Sequence, residues 1–348
     1  MPETDHVELR NVTVAIIARN EEAEIARTIG SLSRQTLFAG PHAVTVFVVA
    51  NGCTDRTVPV ARAAIDAHLA GVATRAEAID LAEGGKSRTW NRFVHELAPP
   101  ETDVFLFLDA DIELAHDRVC ADMLTVLQRD PAAVACASRP TKSLVRKDHK
   151  SLVDRVSLLV SEESRADRSI CGQLYYLDAD VARTIWLPNE TPGEDGFLNA
   201  MVRTRGFSRP DDPDLIAVAD ATTHYYDAPD LLGTFQHERR IIVGTAVNCW
   251  IFEHLWSLGA TASVGPLIDQ WNRTDPQWVS KLIGERTRGK TWVISREILL
   301  TRLPNLSGAS LARIAWKAPL GAAATLFNGI ASYRANKVLK RSGAAAIW

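Results

Sequence analysis

Through the first 140 residues, short apolar runs rich in β-branched side chains alternate with longer stretches whose apolar positions recur every three or four residues. The runs at 12–18, 44–50 and 104–109 lack the in-out alternation of a half-exposed strand, so they predict strands buried on both faces. Between them, 21–34, 54–69 and 86–97 carry the spacing of amphipathic helices. This alternation predicts an α/β fold with a mostly parallel sheet flanked by helices, in which ligands sit beyond the carboxyl ends of the strands. Residues 114–128 and 152–165 read as further helices, 173–177 as a strand, and Ala179 as the start of a short helix.

After about residue 246 the texture changes. Seven of the nine tryptophans (Trp250, Trp256, Trp271, Trp278, Trp292, Trp316 and Trp348) fall there, among helical patterns broken by Gly and Pro. The expected division is a domain over 1–244 followed by a basic, Trp-rich helical extension over 245–348. The net charge of −3 hides an asymmetry: residues 281–348 hold 12 of the 39 basic and 2 of the 42 acidic residues, leaving 27 and 40 in the rest. A basic tail behind an acidic body points to a polyanion, an anionic lipid surface, or a plain solvated face. Five separated cysteines (Cys53, Cys120, Cys136, Cys171, Cys249), with no CxxC pair, read as buried, reduced thiols. The polar, acidic start has no signal-peptide pattern, and 314–333 is interrupted by Lys317, Pro319 and Asn328, so it should not span a bilayer. The expected place is the cytoplasm, with contact at the inner face of the cell membrane as a further option.

The polar residues at the strand ends carry the candidate chemistry. The first strand ends in Arg19-Asn-Glu-Glu22, which is either a binding cluster or a helix cap. The second ends in Asn51-Gly-Cys-Thr-Asp55: Asn51 can present an amide to a base edge and Asp55 can accept from a ribose, or the segment is an Asx turn. Gly84-Gly-Lys86 opens a helix in a manner suited to an anion, although the upstream glycine of a P-loop is missing. The sharpest motif is 104–111, where five apolar residues lead into Asp109-Ala-Asp111. Two carboxylates at the mouth of a sheet suit a hard divalent cation such as Mg2+ or Mn2+, which binds oxygen and bridges to phosphates; the alternative is a capping pair. Further on stand Cys171-Gly-Gln173, the acidic pair Glu194-Asp195 at a helix start, and Gln236-His-Glu-Arg239.

In this order the set resembles the family 2 glycosyltransferases of GT-A fold, over roughly residues 11–245. The resemblance implies sugar transfer from a nucleoside-diphosphate sugar, UDP- or GDP-linked, to a saccharide or lipid-linked acceptor, with inversion. It assigns Arg19, Asn20, Glu22, Asn51, Asp55, Lys86, Asp109, Gln236 and Arg239 to the donor, Asp109 and Asp111 to the metal, Gly172, Gln173 and Glu194 to the acceptor side, and Asp195 to the catalytic base. His224 either completes the metal shell or is a hydrogen-bonded structural residue. Three features depart from the family pattern: Asn51 stands where Asp is usual, Arg240 where Trp closes the last element of processive members, and the transmembrane helices of polymer synthases do not follow. A single-sugar transferase is therefore expected, in polysaccharide or glycolipid assembly. In the tail, Leu326, Phe327, Ile330, Val338 and Leu339 with Arg334, Lys337, Lys340 and Arg341 form the pattern of a basic amphipathic helix suited to a membrane surface. A packed helical subdomain and an aromatic acceptor wall are the other readings of this region. Two rivals are weighed: a nucleotidyltransferase would need a glycine-rich loop that 18–25 lacks, and a non-catalytic sugar-nucleotide binder of the same fold would not need Asp109, Asp111 and Asp195 together. No nucleic-acid-binding module is recognisable.

Overall fold

A computed structural model describes residues 10–150, 168–227, 231–300 and 311–342, with the side chains of 231–232, 311–324 and 342 excepted. The helix expected over 152–165 lies outside the described residues. The described residues fall into two compact units, one drawn from Met1–Leu187, Leu198–Ala228 and Thr261–Ile268, the other from Pro188–Phe197, Pro229–Ala260 and Asp269–Trp348.

The first unit is built on strands β1 (Asn11–Ala18), β2 (Ala43–Asn51), β3 (Arg75–Leu81), β4 (Val104–Asp109), β5 (Glu113–Leu114), β6 (Ala135–Ala137), β7 (Pro140–Lys142), β8 (Leu174–Asp178), β9 (Ile216–Val218) and β10 (His224–Tyr226). Seven of them form one sheet in the order β3-β2-β1-β4-β8-β6-β9, and β5-β10-β7 form a small second sheet. All neighbours in the large sheet are parallel except β8, which runs against both β4 and β6. The three expected strands are therefore observed, within a mostly parallel sheet. They form where expected because β-branched and aromatic residues fit a pleated surface covered on both sides: Val12, Val14, Ile16, Val46, Val48, Val104 and Leu106 are fully buried. Truncating Ile16 or Leu106 to Ala would cost about 2–5 kcal/mol through lost transfer energy and the cavity left behind.

Helices α1 (Ile25–Ser33), α2 (Thr57–His68), α3 (Lys86–Arg92), α4 (Val119–Arg129) and α5 (Ala179–Arg183) belong to this unit. α3 passes into a π-helical turn at Phe93–Leu97 and is pinned to the sheet by aromatic packing. Trp90 stacks on Phe107 at 5.7 Å, Phe107 stacks on Tyr175 at 4.9 Å, and Trp90 Nε1 donates to Tyr175 Oη at 3.0 Å. Helices α1, α2 and α4 start three to five residues later than their hydrophobic patterns predict. The backbone at Glu21–Glu24 is spent on a turn, with Glu24 and Ile25 N both donating to Glu21 O, so α1 begins at Ile25. Residues 113–114 are drawn into β5, where they pair with β10, so α4 begins at Val119.

β1 is the switch point of the sheet. The chain goes outward through β2 and β3, then returns to place β4 on the other side of β1. The crevice beyond the carboxyl ends of β1 and β4 is where an open α/β sheet accepts ligands. Because β8 is antiparallel, it brings its amino end, with Gln173, to that same edge, where Asp109 N donates to Gln173 O at 2.8 Å.

Helices α6 (Glu194–Arg203), α7 (Leu231–Ser257), α8 (Gly265–Thr274), α9 (Trp278–Thr287), α10 (Arg296–Leu300) and α11 (Leu311–Ser342) follow. α7 runs unbroken through Gly244, the position at which the sequence texture begins to change. In the second unit Trp271 and Trp278 pack at 5.0 Å, and α11 lies along α7 with Phe327 edge-on to Phe235 at 5.5 Å. The expected apolar stripe of the tail helix is split: Leu339 is buried and Phe327 is half-buried, while Leu326 and Ile330 are exposed. Among the described residues no helix is long and apolar enough to cross a membrane.

Candidate active site

The loops after β1 and β2 are laced together by the polar residues that end those strands. Thr54 N donates to Asn20 Oδ1 at 2.8 Å, Glu22 N to Asp55 Oδ2 at 3.2 Å, Arg56 N to Glu22 Oε2 at 2.9 Å, and Glu21 N to Thr57 Oγ1 at 2.7 Å. Asn20 adopts φ 58°, a left-handed conformation that Asn tolerates better than most residues. Asp55 Oδ1 also takes the Thr57 hydroxyl at 2.6 Å and its N–H at 3.0 Å. The hydroxyl bond is the main reason its carboxyl lies below the usual carboxylate range.

Asn51 does not present its amide outward. It is buried, its Nδ2 donates to Ala18 O at 2.9 Å and its Oδ1 accepts from Gly85 N at 3.1 Å, so it ties β1, β2 and the glycine loop together. This corrects the reading of Asn51 as a reader of a base edge, and it explains why Asn stands here: an Asp would set a carboxylate against the Ala18 carbonyl. Gly52 holds φ 60°, and a Cβ there would lie 2.8 Å from Gly84 N, so the backbones of the two loops approach as only glycine permits. The Arg19 guanidinium lies beside Gly84, where a Cβ would be 3.4 Å from Cζ.

Asp109 closes β4. Lys86 Nζ donates to its Oδ1 at 2.7 Å and lies 3.4 Å from Gly172 O, with the two side chains 29% and 23% accessible. Asp111 is exposed two residues on. The segment carrying both is held from beneath by α1: the buried Thr28 hydroxyl lies 2.7 Å from Ala110 O and 2.8 Å from Ile112 O and shares one proton between them. Asn91 on α3 is buried and clamps the backbone of Leu187 in both directions, at 2.8 Å each way.

The electrostatics converge on Glu21. Its carboxyl is pushed up to about 7, first by burial and then by the negative charges of Asp111, Asp109, Glu24 and Asp55. A carboxyl that keeps a proton near neutrality beside two aspartates marks a place with surplus negative potential, the setting that attracts a cation. Glu21 lies inside a motif noted from the sequence, but its role depends on the closeness of β1 and β4, which no local pattern records. Among the described residues no group of three or more His, Cys, Asp and Glu converges as a ready-made metal site. Two carboxylates still suit a Mg2+- or Mn2+-type ion, whose remaining positions are commonly filled by water and substrate phosphate.

His224 is not gathered with Asp109 and Asp111 into such a group. It is fully buried on β10, its Nδ1 lies 3.0 Å from Thr223 Oγ1 and its Nε2 3.3 Å from Gln173 Oε1, and burial pushes its pKa down to about 3. Here it is a neutral, hydrogen-bonded residue that holds Gln173, with both ring nitrogens engaged.

Asp195, Gln236 and Arg239 belong to the second unit. Glu194 and Asp195 open α6, and Asp195 Oδ1 accepts from Gly196 N at 2.8 Å. The turn before them is clamped to α7: Asn248 Nδ2 donates to Gly193 O at 2.7 Å and Asn248 Oδ1 accepts from the Thr191 hydroxyl at 2.9 Å. Asn248, an isolated amide in a helical stretch, gives no signal in the sequence. Gln236 is exposed and Arg239 half-buried on the same helix, about 14 Å or more from Asn248 along its axis at 1.5 Å per residue.

The segment from 13 to 180 matches the family model described as Glycosyl transferase family 2. Residues 13–180 belong to glycosyl transferase family 2. The protein is accordingly a glycosyltransferase, and the family segment contains Arg19, Asn20, Glu22, Asn51, Asp55, Lys86, Asp109, Asp111, Gly172 and Gln173. Glu194, Asp195, His224, Gln236 and Arg239 lie beyond it. Among solved structures, the mannosyltransferase PcManGT from Pyrobaculum calidifontis in complex with GDP-Man and Mn2+ is 16% identical, with 96% of this chain and 88% of that chain covered and a TM-score of 0.54. This likeness extends the GT-A fold assignment. Glucosyl-3-phosphoglycerate synthase from Mycobacterium tuberculosis is a looser likeness. Its complex with Mg2+ and uridine-diphosphate is 19% identical, covering 69% of this chain and 79% of that one at a TM-score of 0.48. Its complex with Mn2+, UDP-Glc and phosphoglyceric acid is also 19% identical, covering 69% and 80% at 0.49. Comparison with curated proteins yields no match.

Proposed function

We propose that this glycosyltransferase moves a single sugar from a UDP- or GDP-sugar to the hydroxyl of a saccharide or lipid-linked acceptor, with inversion at the anomeric carbon. The observation that carries the reading is the acidic crevice at the sheet's switch point, where burial and then the charges of Asp111 and Asp109 raise the Glu21 carboxyl to about 7, and Lys86 supplies the neighbouring cation. In this reading Asp109 and Asp111 hold Mn2+ or Mg2+. Bound there, the ion supplies positive charge to a departing diphosphate. The ion named in the PcManGT complex is of this kind.

The chain's own residues then divide the work. Lys86 releases Asp109 and adds its charge to the donor phosphates, and Arg19 stands beside the Gly84–Gly85 loop as a second cation for them. Asn20, Glu22 and Asp55 keep the donor-side loops in one conformation, with Asn51 beneath them. Arg239 and Gln236 contribute to donor binding, Gly172, Gln173 and Glu194 to the acceptor side. Asp195, exposed at the start of α6, accepts the proton of the attacking hydroxyl.

The test is a thermal-shift panel of nucleoside-diphosphate sugars with and without Mn2+, followed by assay of sugar transfer. One donor should raise Tm in the presence of Mn2+, and Asp111→Asn should abolish the metal-dependent part of the shift. A shift of equal size in Asp111→Asn, or one indifferent to divalent ions, would remove the metal from the reading.

A further inference from the structure

The tail helix α11 (Leu311–Ser342) has two dissimilar faces over its described side chains. One is packed within the second unit: Asn328, Ala331, Ser332, Ala335 and Leu339 are buried, and Asn328 Nδ2 donates to Ile298 O and Leu299 O at 3.0 and 2.9 Å. The opposite face exposes Leu326 at 69%, Ile330 at 49% and Tyr333 at 52%. At 3.6 residues per turn these three fall within about 100° of arc together with Lys337, Lys340 and Arg341. All three basic residues are exposed, with Arg334 at the margin. The same face is therefore apolar over its first turns and cationic over its last.

We infer that this face of α11 binds an anionic lipid surface, lying in its plane with Leu326, Ile330 and Tyr333 in the acyl boundary and Lys337, Lys340 and Arg341 on the headgroups. Charge decides the occupant. From Ile298 to Trp348 the sequence holds seven basic residues and no Asp or Glu, so nothing in that stretch repels an anionic surface. A soluble polyanion would use the cations but leave three large apolar side chains in water. A second copy of the chain would set the cationic turns of both helices near one another in parallel packing, or against the partner's apolar turns in antiparallel packing. A lipid surface satisfies both halves of the face at once, and the helix is not of the spanning kind. Tyr333 suits the boundary because its ring is apolar and its hydroxyl polar; the Lys337 ammonium already lies 4.6 Å from its ring centroid. This surface is independent of the glycosyl-transfer reading, although it would place the enzyme where a lipid-linked acceptor resides.

The experiment is sedimentation of the full chain with vesicles of phosphatidylcholine alone and of phosphatidylcholine mixed with phosphatidylglycerol. The expected result is binding to the mixed vesicles only, weakened by salt. Lys337→Gln/Lys340→Gln/Arg341→Gln should lower vesicle affinity about a hundredfold, three surface cations being lost. Leu326→Ser/Ile330→Ser should lose the salt-resistant part of binding. Both variants change exposed side chains and should keep the wild-type Tm. Equal binding to neutral vesicles, or undiminished binding by both variants, would overturn the inference. A dimer in light scattering that Leu326→Ser/Ile330→Ser dissolves would replace the lipid with a second copy, and heparin binding without vesicle binding would replace it with a soluble polyanion. The nucleotide-sugar thermal shift, run on the same samples, separates failure of this inference from failure of the catalytic one.

Discussion

Glu21 shows how a single side chain reports on its surroundings. Its carboxyl titrates near 7 because burial and the charges of Asp111, Asp109, Glu24 and Asp55 all oppose ionisation. In the unfolded chain it would titrate near the ordinary 4.5, so between these values the folded protein binds more protons and stability falls as pH rises through 7. Glu21→Gln should flatten that part of the profile and raise Tm most at pH 8, measured by thermal unfolding from pH 5 to 8. A profile unchanged by the substitution would mean that the carboxylates do not feel one another. Mn2+ should also reduce the difference between wild type and variant, since a cation offsets the same repulsion. His224 contributes the other limb: with its pKa lowered to about 3 by burial, the unfolded chain binds the extra proton below 6.5, and stability declines as pH falls.

At the scale of elements, the turn before Glu194 is held by backbone approaches that have no sequence periodicity. Gly244 lies inside α7, and a Cβ there would come 3.1 Å from Pro192 O and 3.2 Å from Gly193 Cα. Those atoms are backbone, tied down by Asn248, so they cannot move aside cheaply. Gly244→Ala should therefore lower the urea midpoint, with a packing cost of about 1–3 kcal/mol outweighing the helix-propensity gain. Gly284 in α9 is the control: nothing lies within 4 Å of its Cβ position, and Gly284→Ala should raise the midpoint, with stability gaining up to about 1 kcal/mol. If both variants shift the midpoint in the same direction, the close approach at Gly244 carries no energetic weight. The same kind of contact explains why α1 and α4 begin late. Hydrogen bonds to distant partners, from Glu21 N to Thr57 Oγ1 and Glu22 N to Asp55 Oδ2 before α1 and between 113–114 and β10 before α4, fix the backbone ahead of each helix.

Across the whole molecule, the donor-side residues at the strand ends (Arg19, Asn20, Glu22, Asp55, Lys86 and Asp109) belong to one compact unit and the proposed base to the other, so their contributions should separate kinetically. Asp195→Asn should leave the donor-induced thermal shift nearly intact while sugar transfer falls about 10²-fold or more, the loss expected for a general base. Transfer at the wild-type rate would remove Asp195 from the chemistry. Loss of donor binding as well would mean that Asp195 acts on the fold of its own loop.

The local pattern of residues was enough to place β1, β2 and β4 and the acidic pair Asp109–Asp111, because a strand covered on both faces must be apolar throughout and a break in that run marks where the sheet meets water. It was not enough for β3, whose half-exposed Arg75–Leu81 lacks an apolar run, nor for β6 and β9, which span three residues each. The reversed direction of β8 is a matter of pairing, and pairing depends on residues far apart in the chain. For the same reason only the tertiary structure decided that Asn51 binds the loops and not a base, that His224 holds Gln173, and that Glu21 keeps its proton. A side chain's identity states what bonds and charges it can offer; which of them it uses depends on the neighbours that folding brings close, and most of those come from 33 to 90 residues away.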